Sequence, residues 1–153
     1  MAGWYNKVKS DLSNIVPAID YYENELVDAR KETGLKGHLE RHSREIPGIV
    51  AYRFGQLQEV DAILEHLNIE LRTILRKNYR KYLEHYNKVL SSRDAEKFAE
   101  GESEYVDMEH VVNEFALVRN KYLAIMKGLD AKQFQLNNIT KLRTAGMEDI
   151  TLD

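Results

Sequence analysis

The chain has no cysteine, and its 153 residues include only two prolines and eight glycines. Without cysteine, disulfides, thiol catalysis and thiolate metal sites are excluded together. Few prolines and glycines mean few obligatory breaks, and with 31% charged residues the balance favours helix over sheet. No apolar run approaches the ~20 residues needed to cross a bilayer, so no membrane partner is expected. The opening, MAGWYNKVKSDLSN, lacks the apolar stretch of a signal peptide, and the corresponding expectation is a cytoplasmic protein. There is also no glycine loop of the kind that cradles phosphates, which argues against a nucleotide-driven motor.

What is present is charge, sorted into blocks. The net charge is −3, but residues 1–34 sum to −2, 35–93 to +4, 94–114 to −7, 115–147 to +5 and 148–153 to −3. Blocks of this kind govern docking and partners more than fold. A basic segment within a mildly acidic chain reads as a local anion-binding stripe.

The punctuation predicts an all-α fold. A helix is expected from Ala18 to Glu32, stopped by Gly34, and a short one over Leu35–Arg44. Pro47 suits the first turn of a long helix reaching Leu90. A polar connection with a short helix around Ala95 leads to a second long helix from Val106 to Arg143, stopping near Gly146. Residues 1–34 read as a helical extension, 35–146 as the main domain, and 147–153 as a loose acidic tail.

Periodicity is the strongest signal. Leu57, Val60, Leu64, Leu67, Leu71 and Ile74 follow at spacings of three and four. So do Val111, Phe115, Val118, Tyr122, Ile125, Leu129, Leu136 and Ile139, with one polar interruption at Lys132. Such spacing belongs to helices packed knobs-into-holes, here an antiparallel hairpin or bundle. Two helices this long have apolar faces to spare, so the second seam, Val111 to Ile139, is assigned to a homo-oligomer interface.

Residues 71–88, LRTILRKNYRKYLEHYNK, carry six Lys/Arg against one acid, Glu84. At ~100° per residue Arg72, Arg76 and Arg80 form one row, and Lys77, Lys81 and Lys88 a neighbouring one. Tyr79, Tyr82 and Tyr86 border the apolar side. One reading is a solvated face beside core tyrosines with wet hydroxyls. The other is sequence-tolerant binding of single-stranded nucleic acid, cations on phosphates and rings against bases. The candidate DNA-binding residues are Arg72, Arg76, Lys77, Tyr79, Arg80, Lys81 and Lys88.

Signals for catalysis are weak. His38 and His42 stand four apart, but Glu40 lies between them and not directly after the first, and no third ligand is evident. Glu96, Glu100, Glu102, Glu104, Asp107 and Glu109 lack the loop spacing of a calcium site. No catalytic residue, metal or cofactor is assigned.

The segment VVNEFALVRNKYLAIMKGLDAKQFQLNNITKLRTAG, residues 111–146, resembles the C-terminal helix of the UvsY family, the recombination mediators of T-even-like phages. The likeness lies in aromatic and aliphatic residues at heptad spacing, closing on Phe134, Ile139, Arg143, Ala145 and Gly146. IPGIVAYRF resembles the start of that family's first long helix. Leu83, Glu84, His85 and Tyr86 are similar to its Leu-acid-aromatic-Tyr string, which follows basic residues implicated in binding single-stranded DNA. Arg80 matches one such basic position; Tyr82 stands at the next, and Lys88 replaces a glycine. The likeness spans residues 35–146 and leaves 1–34 without a counterpart. It implies a ring-like homo-oligomer of roughly six or seven subunits. It also implies two protein partners, a recombinase and a single-stranded-DNA-binding protein, and a place in the host cytoplasm if the chain is phage-encoded. The mediator's task is to load the recombinase onto coated DNA. The competing expectation is a structural or adaptor coiled-coil oligomer with no nucleic-acid role.

Overall fold

A computed structural model describes residues 3–146; the expected acidic tail at 147–153 lies outside the described residues. The described residues form five α-helices and no strand. They are α1 (Trp4–Ser10), α2 (Ile15–Glu32), α3 (Leu39–Glu84), α4 (Ser92–Glu100) and α5 (Ser103–Thr144), with a 3₁₀ turn at Leu12–Asn14. None of the helices is long and apolar enough to cross a membrane.

α3 and α5 make an antiparallel hairpin, held in register by Arg119 on Asp61 at 2.6 Å and by the Tyr122 hydroxyl donating to Gln56 at 3.1 Å. α2 lies alongside, parallel to α5, with Lys121 on Glu23 at 2.6 Å. The core forms where the three overlap. It is built from Tyr22 and Leu26 of α2, Leu57, Val60, Ile63 and Leu67 of α3, and Phe115, Val118, Tyr122, Ile125 and Leu129 of α5, with Val8 of α1 as a plug. In each helix the buried positions recur at three and four residues, the repeat that keeps one stripe facing inward. Residues 4–32 are thus part of the one core, because without α2 the α3–α5 seam would be open on one side.

The helix ends differ from the sequence expectation in four places, one of them the start of α5 at Ser103 in place of Val106. α3 begins at Leu39 and absorbs the separate short helix expected over Leu35–Arg44, so Pro47 sits inside it. An interior proline costs the amide that would have bonded Ser43 and crowds that carbonyl. The turn is supported by pairs of Arg41 with Glu45 at 2.9 Å and Arg44 with Glu40 at 2.7 Å, and by burial of Ile46. α3 stops at Glu84, short of Leu90, because the chain has to turn back before Ser91. There the Ser91 hydroxyl accepts the Asp94 amide at 3.2 Å and donates to the Asp94 carboxylate at 2.9 Å, a reciprocal cap that starts α4. α2 starts at Ile15, three residues early, since Pro17 falls in the first turn where no amide is needed. α5 ends as expected: Gly146, at φ 82, takes the left-handed conformation that closes a helix.

The expected oligomer seam faces inward within one chain. Phe115, Val118, Tyr122, Ile125 and Leu129 belong to the core, and Val111 packs against it. Leu136 is buried and Ile139 half-buried. The apolar side chains left exposed lie elsewhere, among them Val16, Leu117 and Phe134. The polar interruption Lys132 is nearly buried, and its ammonium donates to the Glu32 carbonyl at 2.7 Å. It thereby satisfies an end carbonyl of α2, a group with no partner in its own helix. Burial pushes this lysine's pKa down, against the opposing influence of Glu45 and Glu32.

Candidate nucleic-acid interface

The last four turns of α3 run on beyond Leu67, the final α3 side chain in the central cluster. Past that point only Ile74 and Asn78 are buried. This leaves about half the helix circumference to the basic residues. Arg72, Arg76, Lys77, Arg80, Lys81 and Lys88 are all exposed, and Tyr79 is half-buried. The helical repeat places Arg72, Arg76 and Arg80 at ~6 Å steps along one line.

The acids near this stripe are few. Arg72 lies 3.8 Å from Glu65 and Arg80 3.9 Å from Glu84, both exposed pairs at the outer limit of contact. Such pairs hold little energy and leave the cation accessible. Lys81 is engaged more closely, with Glu102 at 3.1 Å. Arg76, Lys77 and Lys88 form no ion pair among the described residues. Among the described residues, then, half of these six cations have no acidic partner within 4 Å.

α4 and the start of α5 supply what the sequence did not assign to the site. α4 folds back on α3 through Ala95 and Ala99, both fully buried. This brings Ser92, Arg93 and Glu96 to the edge of an open cleft of about 400 Å³ whose other wall is Leu75, Arg76 and Tyr79. Tyr79 thus borders a groove and does not stand free beside the cations. Further along, Phe98 stacks on Tyr82 at 5.4 Å and on Tyr86 at 6.0 Å. Glu102, at the N-cap of α5, accepts hydrogen bonds from the Tyr82 hydroxyl and Lys81. These two bonds, Tyr82 first, hold the Glu102 carboxyl below its ordinary pKa, and the same contact raises that of the Tyr82 phenol. Arg93, Phe98 and Glu102 were hidden in a stretch that reads as polar linker. The usable signal was Ser91 with Asp94 three residues on, which fixes a helix start and puts Ala95, Phe98 and Ala99 on one face.

The other candidates remain apart. The His42 ring contacts the Lys36 carbonyl at 2.5 Å, and His38 is the N-cap of α3. No group of three or more His, Asp or Glu side chains able to hold a metal ion occurs among the described residues.

Chemically, this end of the molecule offers exposed cations, half of them without an acidic partner among the described residues, a groove and exposed aromatic faces. That set suits a flexible polyanion carrying flat apolar groups. Comparison of the chain with family models, with curated proteins and with solved structures gave no match in any of the three.

Proposed function

We propose that this protein is a recombination mediator. It binds single-stranded DNA without sequence preference and promotes loading of a recombinase onto DNA coated by a single-stranded-DNA-binding protein. The observation that carries the DNA-binding part is the exposed set of Arg72, Arg76, Lys77, Arg80 and Lys81 on α3 and Lys88 in the segment after it, where three of six cations have no acidic partner among the described residues. A merely solvated face would be expected to interleave acids with its bases, as α3 itself does at Glu40, Arg41, Arg44 and Glu45. The likeness of residues 35–146 to the UvsY family supports the mediator part. In this reading the protein acts as a homo-oligomer. Feeble sites joined in one particle hold a strand by effective concentration while a competing protein's grip loosens.

The stripe is tested by changing Arg76, Lys77, Arg80 and Lys81 together to Ala and titrating a labelled oligonucleotide at several salt concentrations. Affinity should fall, and the salt dependence should flatten by about 0.7 for each phosphate that is no longer neutralised. Helicity should persist, since all four side chains are exposed. An unchanged affinity and slope would move the DNA site elsewhere. The mediator step is tested by the lag in recombinase ATPase activity on coated DNA, which wild type should shorten and the stripe variant should not. A lag unaffected by wild type rejects the mediator reading.

A further inference from the structure

Three aromatic rings meet at the end of α3, where exposed apolar surface is concentrated. Tyr82 and Tyr86 lie 5.5 Å apart, and Phe98 lies nearly parallel to both, at 27° and 30°. Tyr86 and Phe98 are 46% and 47% exposed, and Leu83 and Val89 beside them are exposed as well. The arrangement is held from behind. Buried Ala95 and Ala99 seat α4, and Glu102 takes the Tyr82 hydroxyl and fixes that ring.

An exposed apolar patch of this kind marks a contact surface. Its surroundings indicate the occupant. The Lys81 ammonium lies 5.4 Å from the Tyr82 ring centroid, and exposed Lys77, Arg80, His85 and Lys88 share the last turns of α3 and the segment after it. A hydrophobic protein partner would not call for so many cations, and a simple polyanion would not call for rings. Unpaired nucleobases on a phosphate backbone require both.

We propose that Tyr82, Tyr86 and Phe98 form a base-stacking platform, on which unpaired bases of single-stranded DNA rest while the α3 cations hold the adjacent phosphates. The proposal rests on the DNA-binding reading above and extends it by assigning base contact to rings from α3, the segment after it and α4. The phosphate stripe alone does not discriminate a base-bearing strand from a bare backbone; the platform does.

The experiment compares a thymidine oligonucleotide with an abasic oligonucleotide of the same length, on wild type and on the double variant Tyr86→Leu with Phe98→Leu. Leucine keeps apolar contact for α4 while removing the π-face. Wild type should prefer the base-bearing strand by about tenfold, the scale of one or two stacked bases. The double variant should lose that preference and keep the abasic affinity. A second measurement places Phe98→Trp in a Trp4→Phe background, since Trp4 is the sole tryptophan. Its emission should be quenched by the thymidine strand and not by the abasic one. Equal binding of both strands by wild type overturns the platform and leaves the stripe standing. Tighter binding by the double variant overturns it too, and would make α4 a cover over the DNA site. Failure of both strands to bind removes the DNA-binding reading, and the platform with it.

Discussion

Arg53 is the residue on which the bundle turns. It is 3% exposed, yet fully paired. Its guanidinium forks onto Glu32 at 2.9 and 2.6 Å and reaches Glu25 at 2.7 Å and Gln56 at 2.9 Å. Gln56 in turn accepts from Tyr122, so one side chain ties α2 to α3 and α5. Replacing Arg53 with Met should cost about 3 kcal/mol, because two carboxylates lose their cation in a mostly covered site. Urea unfolding measures this, and a cost under about 1 kcal/mol would show the network to be ornamental. The acid side of the stability curve tests the same network. Burial acts to raise the Glu25 pKa, but bonds from Gln56 and Arg53 outweigh it and leave the carboxyl below its ordinary value. With the folded pKa depressed, this contribution is complete above the unfolded value of about 4.3 and is lost as pH falls through the folded one. Glu25→Gln should therefore flatten the loss of melting temperature below about pH 4.3. Nothing in the sequence marks Arg53. An isolated arginine between Tyr52 and Phe54 reads as surface, and only the approach of Glu25 and Glu32 from α2 makes its burial favourable.

At the scale of elements, α4 stands outside the central cluster and is the helix that completes the site. It has nine residues, two buried alanines and a cap. Ser91→Ala should cost about 1 kcal/mol, the usual worth of such a cap. The loss should be local: amides at 95–100 should exchange faster while the melting of the rest barely moves, since no α4 side chain enters the central cluster. A large drop in global stability would mean that α4 is integral to the core. Legibility follows the same division. α5 was readable to within three residues at its start and one at its end, because its seam of Val, Phe, Tyr, Ile and Leu is long and strongly periodic. α4 announced itself only by its cap, since alanine buries little area and carries little periodic signal. The N-terminus of α3 was misplaced because a proline such as Pro47 more commonly opens a helix than sits inside one. The i,i+4 pairs of Arg41 and Arg44, which carry the helix through it, are a fainter signal in the sequence. The row of Arg72, Arg76 and Arg80 was legible because exposure follows from helical geometry alone, but Lys88 falls outside its expected row with Lys77 and Lys81 because α3 stops at Glu84. The groove at Tyr79 and the ring cluster were not legible, because both need α4 to fold back.

At the scale of the molecule, one chain covers most of the surface that heptad spacing had reserved for other copies. The inference from two overlong helices to an intersubunit seam omitted α2, whose Ile15, Ala18, Tyr22, Leu26 and Ala29 close the third side. Apolar residues left outside, such as Leu117 and Phe134, which are 56% and 64% exposed, are the ones free to meet another copy without unfolding the core. The two cases separate cleanly under mutation. Ile125 and Leu129 are 5% and 0% exposed, so changing both to Glu places two carboxylates in a dry seam without partners. Each costs several kcal/mol, against a total stability of about 5–15 kcal/mol for a domain of this size. The Ile125→Glu, Leu129→Glu protein should therefore lose most of its helicity instead of giving folded, smaller species. Leu117→Glu with Phe134→Glu should keep the helicity and, in the oligomeric reading, lower the mass in solution. Circular dichroism paired with light scattering on the two variants decides the matter. A folded, dissociated Ile125→Glu, Leu129→Glu protein would return the seam to the interface between copies, and would mean that α2 covers it only in the isolated chain.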